Sequence, residues 1–377
     1  MSAARRLAGL ALTMAAGVLL ARPTQVRAQD RVRDLELNGG LSLEAYRGNL
    51  AAASVSVADS TDEAAAAIGE LGGRGTVALL ETERRWAFLS FDAGLRQFAA
   101  GGFTVRDYAP REWAGQAGLS VTQLLGKWAA ATGHVGWRGR AVEDRPPMPL
   151  FLQPGFGIAT ASAKLELSEI DQVSFDVLAD AEWADYTAQP LVAPLDLLDR
   201  TSQGVEVGAA WGQGTTFRVF AAARRSAYPH QQTNEPNDPT RRDGTVQAGF
   251  SWSMDAPITA QLGLEGTVNR SNSRRPEYDA LSLRSVVSVP LPFDVGATVL
   301  GVLTAKSYVN ESDFKVLVPG EEADNASVLY LDLARAIARG VDGSVRLGWT
   351  RAEADVGDAY FQRFGVSMQL RYRPGAF

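Results

Sequence analysis

The sequence predicts an all-β protein: a transmembrane antiparallel up-and-down β-barrel of about sixteen strands, with short periplasmic turns and long extracellular loops. Three observations predict it. Apolar and polar residues alternate with period two through nearly all of the chain beyond Gln29. Short and long connections take turns between the alternating segments. No segment beyond the N-terminus has the ~20 consecutive apolar residues of a membrane helix; the best, "LSLRSVVSVPLPFDVGATVLGVL", is broken by Arg284, Pro290, Pro292 and Asp294. Fourteen or eighteen strands fit the same template.

The first element is a leader. Arg5 and Arg6 precede an apolar run from Leu7 to Leu20, and Val26-Arg27-Ala28 fits a cleavage site. Residues 1–28 read as a cleaved secretory signal peptide, and 29–377 as a single barrel domain. An uncleaved anchor is the other reading, and the run is short for a spanning helix.

The strands follow in order, at 34–47, 74–83, 86–99, 111–124, 127–140, 155–168, 172–185, 202–212, 215–227, 244–255, 257–269, 278–291, 294–308, 326–338, 342–354 and 359–373. The pattern is clearest at 244–269. There Val246, Ala248, Phe250, Trp252 and Met254 alternate with Gln247, Gly249, Ser251 and Ser253, and Asp255-Ala256-Pro257 turns the chain into a second alternating run. It is weakest at 48–83. "AAASVSVAD" could be a strand, "TVALLETE" alternates poorly, and "DEAAAAIGEL" at 62–71 reads as a short loop helix. "LYLDLARAIARG" at 329–340 suits either a helix or a strand through Leu329, Leu331 and Leu333. Short turns fall near Glu83–Arg85, Gly126-Lys127, Glu169–Gln172, Gly212–Gly214, Asp255–Pro257, Pro292–Asp294 and Gly340–Gly343. Polar stretches such as "AVEDRPPMPLFLQP", "YPHQQTNEPNDPTRRD" and "VNESDFKVLVPGEEADN" form the long loops.

Alternation alone leaves open which face is inside. A soluble sandwich would turn the apolar rows to a core, and a barrel would turn them to lipid. The polar rows decide for the barrel, being rich in Gly, Ser, Thr and Gln with charges of both signs. In the last strand Phe364, Val366, Met368, Leu370 and Tyr372 share one face, and Arg363, Ser367, Gln369, Arg371 and Arg373 the other. An arginine at the midplane of the lipid face costs about 2–4 kcal/mol, which this sorting avoids. Trp86, Trp128, Trp211 and Trp252 lie close to the short turns, and Trp113 and Trp183 close to long loops, as two aromatic girdles would. Trp128 is off the apolar register and Trp349 lies mid-strand.

With its leader, its hairpin rhythm and a final strand "YFQRFGVSMQLRYRPGAF", the chain resembles Gram-negative outer-membrane β-barrels of the porin-like class. Pro374-Gly375 sets the terminal Phe377 out of phase with Leu370 and Tyr372. The resemblance implies an integral outer-membrane location and contact with outer-membrane lipid. It also implies recognition of the C-terminal strand by the barrel-assembly machinery.

Composition narrows the chemistry. A net charge of −6 without a long basic block argues against nucleic acid. The absence of cysteine removes thiol catalysis, Cys-ligated zinc and iron–sulfur clusters. Neither histidine, His134 or His230, has a Ser two residues on, the pair that outer-membrane phospholipases use. The acids Glu321, Glu322, Asp324, Glu235 and Asp238 read as solvated loop groups, and "GQGTTF" at 212–217 as a hairpin. No cofactor, metal or catalytic residue is assigned.

The candidate functional residues are those expected to line the lumen. The acids are Asp92, Glu166, Asp176, Asp180, Glu182, Glu206 and Glu265. The bases are Arg96, Arg138, Lys164, Arg218, Arg224, Arg284, Arg346, Arg363 and Arg371, with His134 beside them. Rings of such charges set ion preference in pores; alternatively they pair along the wall as structural networks. The expected function is a passive channel for small polar solutes. A closed barrel that binds partners through its loops is the alternative, and an outer-membrane hydrolase a distant third.

Overall fold

The computed structural model describes residues 32–48, 64–101, 111–143, 155–170, 172–186, 199–233, 239–255, 258–273, 277–309, 327–353 and 360–374. Sixteen strands form one closed antiparallel barrel in which each strand pairs with its neighbours in sequence, and the first pairs with the last. They are β1 (Val32–Gly48), β2 (Ala64–Glu81), β3 (Arg85–Gly101), β4 (Arg111–Leu124), β5 (Ala129–Glu143), β6 (Phe156–Ile170), β7 (Val173–Tyr186) and β8 (Arg200–Trp211). The second half holds β9 (Thr215–Gln232), β10 (Thr240–Met254), β11 (Thr259–Ser271), β12 (Tyr278–Leu291), β13 (Val295–Tyr308), β14 (Ser327–Ala338), β15 (Val341–Glu353) and β16 (Tyr360–Tyr372). The ring closes in a continuous register from Leu37↔Tyr372 to Gly48↔Phe361. Every strand therefore has two hydrogen-bonded neighbours and the sheet has no open edge.

Connections at one end are tight, as at 82–84, 212–214, 292–294 and 339–340. Gly212 has φ +117°, and a Cβ there would lie 2.0 Å from the Thr215 carbonyl oxygen, so this turn requires glycine. The longer connections all lie at the other end, and most of their residues fall outside the described ones. So do the leader and "AAASVSVAD".

The β10–β11 hairpin pairs in the register its alternation demands, Phe250 opposite Leu264 and Trp252 opposite Leu262. The apolar row is the exposed, outer one: Val246 is 58% exposed, Leu264 47% and Leu281 53%. The outer row of β16 is likewise exposed through Phe364, Val366, Met368, Leu370 and Tyr372. An apolar belt on this scale around a closed ring is incompatible with water and matches a bilayer. The protein is an integral membrane β-barrel.

Two local expectations are corrected. Within the segment 62–71, read as a loop helix, residues 64–71 are strand, part of a strand that spans 64–81. Ala65 pairs with Ala45 on one side and Gly101 on the other. The tall neighbours β1 and β3 carry backbone groups that only a strand between them can satisfy, and this overrides alanine's helical preference. The poor alternation of "TVALLETE" has a cause as well: the register shifts at a bulge between Ala78 and Leu80. The stretch "LYLDLARAIA" resolves as strand.

The second correction concerns the polar segment at 228–243, read as a long loop: among its described residues β9 runs to Gln232 and β10 starts at Thr240. A buried ion pair holds this tall hairpin. Arg241 Nη2 donates to Asp243 Oδ2 at 2.6 Å, Ser271 Oγ donates to Asp243 Oδ1 at 2.7 Å, and the guanidinium lies 4.0 Å from the Tyr228 ring centre. Asp243→Asn removes the carboxylate charge paired with a buried arginine. It is expected to loosen the rim by about 1–3 kcal/mol, read as faster amide exchange at Tyr228–Asp243 with the mid-wall amides unchanged.

The tryptophans sort by register. Trp211 and Trp252 point outward near the tight-turn end, where Trp211 stacks on Phe217 at 6.1 Å. Trp113 and Trp183 share the outward rows near the other end. Trp86 departs from the girdle expectation, since it pairs with Thr122 and so belongs to the inner row.

Candidate functional site: the inner wall

Period-two geometry and an unbroken register carry one row from strand to strand. The series Asp92↔Gln116↔Arg138 lies on β3, β4 and β5. Glu166↔Asp176↔Gly208 does the same across β6, β7 and β8, and Asp332↔Arg346↔Ser367 across β14, β15 and β16. Lys164, Asp180, Glu182, Glu206, Arg218, Arg224, Glu265, Arg284, Arg363 and Arg371 have the parity of these rows, opposite the exposed apolar side chains. Concave curvature brings their ends together, and many ion pairs reach over an intervening strand.

The densest network spans the closing seam. Arg96 Nε donates to Glu70 Oε1 at 3.0 Å and its Nη2 to Glu44 Oε1 at 3.2 Å, while Nη1 lies 3.7 Å from Glu112 Oε2. Arg140 Nη2 donates to Glu112, Arg363 Nη1 lies 3.7 Å from Glu44 Oε2, and Gln369 Nε2 donates to Glu70 Oε2 at 3.4 Å. Six consecutive strands, β16 and β1 to β5, meet in this cluster. Three carboxylates face three guanidiniums. Above it Ile68 and Phe98 pair on the inner row at 1% and 2% exposure, an apolar cap over the charges.

A second network centres on β7. Arg218 Nη2 donates to Asp176 Oδ2 at 3.0 Å and Glu206 Oε1 at 2.6 Å. Arg224 Nη2 donates to Asp180 Oδ2 at 2.7 Å. Glu182 accepts from Arg200 Nε at 3.1 Å and lies 3.9 Å from Arg138 Nη2. Lys164 donates to Glu166, and Arg346 Nε donates to Asp332 Oδ2 at 3.0 Å. Arg284 is looser, 3.7 Å from Glu265 Oε2 with its side chain 60% exposed. Arg371 lies 4.0 Å from Glu36.

Asp92 and His134 line a bay of about 710 Å³ on the inner wall with Arg74, Gln116, Arg138 and Thr160. The His134 ring lies against the backbone at Gly118, where a Cβ would come within 2.7 Å of Cε1. Among the described residues neither Asp92 nor His134 makes an ion pair, and no cluster of His, Asp and Glu is arranged to hold a metal ion. His230 belongs to the end of β9, with Nε2 3.6 Å from Asp199 Oδ2.

The opposite arc of the inner wall differs. On β12, β13 and β14 the inner row carries Val286, Leu300 and Tyr330 on one rung and Val302 and Val328 on the next, beside Arg284. Hydroxyl pairs bound this patch, Ser282 with Thr304 at 3.0 Å and Ser288 with Thr298 at 2.9 Å.

Sequence reasoning missed the acids at the heart of the seam network, Glu44, Glu70 and Glu112, and their partner Arg140. Glu70 was hidden in the stretch read as a loop helix. Glu112 has the parity of Gln116, Gly118 and Ser120, and extending that row by two rungs would have found it.

No family model matches the chain, and no curated protein matches it. Solved structures with a similar form include OccK7 (OpdD) of Pseudomonas aeruginosa, at 11% identity over 91% of this chain and 98% of that one, with a TM-score of 0.44. OmpF of Salmonella typhi, in complex with daunomycin, shares 13% identity over 89% and 97%, with a TM-score of 0.43. A BenF-like porin from Pseudomonas fluorescens Pf-5 shares 9% over 90% and 99%, with a TM-score of 0.44.

Proposed function

We propose that the protein is a passive outer-membrane diffusion channel for small polar solutes. One observation carries this reading. The barrel closes with sixteen strands, a size at which inward side chains no longer fill the interior. Inner-row glycines such as Gly118, Gly136, Gly204 and Gly208 let neighbouring side chains, among them His134, Asp180 and Arg218, lie close against the wall. Charges and hydroxyls keep such a bore wet, and no chemical step is required.

The charges expected to line the lumen act here in two ways. Those of the seam and of β7 are mutually paired and stiffen the wall. Asp92, Arg284 and Arg138, loosely held, are the ones a passing ion would meet. Acid and base are nearly balanced, so ion preference is weak. The leader 1–28 directs export and is removed, outer-membrane lipid covers the apolar belt, and the assembly machinery reads β16.

Reconstitution into planar bilayers tests the channel. Discrete conductance steps are expected, with a reversal potential near zero in a salt gradient. Arg284→Glu is expected to shift the preference toward cations while leaving stability unchanged. A folded protein that inserts and never conducts would replace this reading with the closed, partner-binding barrel.

A further inference from the structure

Three arginines stand on the outer face where the apolar rows end. Arg225 on β9, Arg242 on β10 and Arg270 on β11 are all exposed, in the same rows as Val219, Val246 and Val268. Gly244 pairs with Arg225 on one side and Arg270 on the other, and Arg242 lies two residues on along the same face. A Cβ at Gly244 would meet only the Arg270 carbonyl oxygen, at 3.9 Å. Strands lie about 5 Å apart, so the two flanking guanidiniums can converge over this open floor.

The cluster carries excess positive charge. Arg270 Nη1 donates to Asp279 Oδ1 at 2.8 Å, and the Glu277 carboxylate lies near it as well. Among the described residues the side chains of Arg225 and Arg242 have no hydrogen bond or ion pair. Unpaired guanidiniums next to an apolar belt are poorly placed unless an anion is supplied there, and a planar fork of donors matches phosphate oxygens. On the rung next to the arginines the outer row is Ala223, Val246 and Val268, and on the one after it Ala221, Ala248 and Gly266 pair across the three strands as a rung of small side chains. The site lies toward the long connections, hence at the outer leaflet.

We propose that Arg225, Arg242 and Arg270, set around Gly244, bind the phosphate of an anionic lipid of the outer leaflet, whose acyl chains lie against Val246, Val268 and the small Ala221–Ala248–Gly266 rung. The site does not depend on whether the barrel conducts. It would anchor the tall β9–β11 wall to its surrounding membrane.

The test uses the full-length mature barrel folded in detergent, titrated with bisphosphorylated lipid A, with its dephosphorylated form, and with inorganic phosphate. The phosphorylated lipid is expected to bind. The triple variant R225Q/R242Q/R270Q is expected to weaken it by about tenfold or more. Arg335→Gln, an exposed outward arginine at the tight-turn end, is the control and should change nothing. Gly244→Leu keeps all three charges but fills the floor, and should lose affinity as well; it decides the matter if the triple variant does not fold. Equal binding of the dephosphorylated lipid overturns the proposal. So does affinity within twofold of the parent in both variants. Competition by inorganic phosphate at the lipid's own concentration would make this a free-phosphate site and overturn the lipid assignment.

Discussion

Replacing Arg96 by methionine is expected to destabilise the barrel by about 3–5 kcal/mol, the cost of leaving inner-wall charges without their partner. Arg96 is the only group that touches Glu44, Glu70 and Glu112 together among the contacts of the seam network. Those carboxylates are 10%, 19% and 7% exposed, so water replaces little of what the guanidinium supplies. Arg140 and Arg363 remain, but three acids would then face two bases. Because the cluster joins β16 and β1 to β5, the loss falls on the seam that closes the ring. Urea unfolding of the folded protein in lipid would show the shift, and the variant should migrate as unfolded at a lower temperature in unheated-versus-heated gels. Adding Glu70→Gln to Arg96→Met removes one excess charge and should recover part of the loss. An Arg96→Met barrel as stable as the parent would mean the pairs contribute nothing net.

Leu264→Arg and Gly263→Arg place the same side chain at adjacent positions with opposite results. Leu264 lies midway up the outer face between Phe250 and Leu283 and is 47% exposed. An arginine there sits in the apolar belt and is expected to cost about 2–4 kcal/mol, with a lower yield of folded barrel. Gly263 points to the inner row beside Arg284 and Ser251, and a Cβ there meets nothing closer than the Phe250 carbonyl oxygen at 3.8 Å. Arginine at 263 should leave stability within about 0.5 kcal/mol. It should lower single-channel current and move ion preference toward anions. Stability measurements on both variants test the assignment of faces independently of conductance, and the reverse order of stabilities would turn the barrel inside out.

Much of this architecture was legible in one dimension because a strand's side chains alternate strictly. A row such as Val246, Phe250 and Trp252 announces both the strand and its outer face, and turns such as Gly212–Gly214 punctuate the hairpins. The last strand declared the same from Phe364 to Tyr372. Legibility failed where alternation carries no information. Alanine suits either face, so 64–68 looked helical, and the register shift near Leu80 broke the rhythm beyond it. It failed again at 228–243, whose polar residues resemble a loop; only the Arg241–Asp243 pair, held under Tyr228, shows why the hairpin stays ordered so far up.

The sequence by itself determined the class of fold, the alternation of tight and long connections and, through parity, which charges share a face. Those are local properties, set by two residues at a time. What only the tertiary structure decided was partnership: that Arg96 gathers three glutamates from three strands, that Arg218 reaches across β8 to Asp176, and that Gly244 opens a floor between two arginines. Such contacts depend on how many strands close the ring and with what register, because curvature and stagger bring together side chains that lie tens or hundreds of residues apart along the chain.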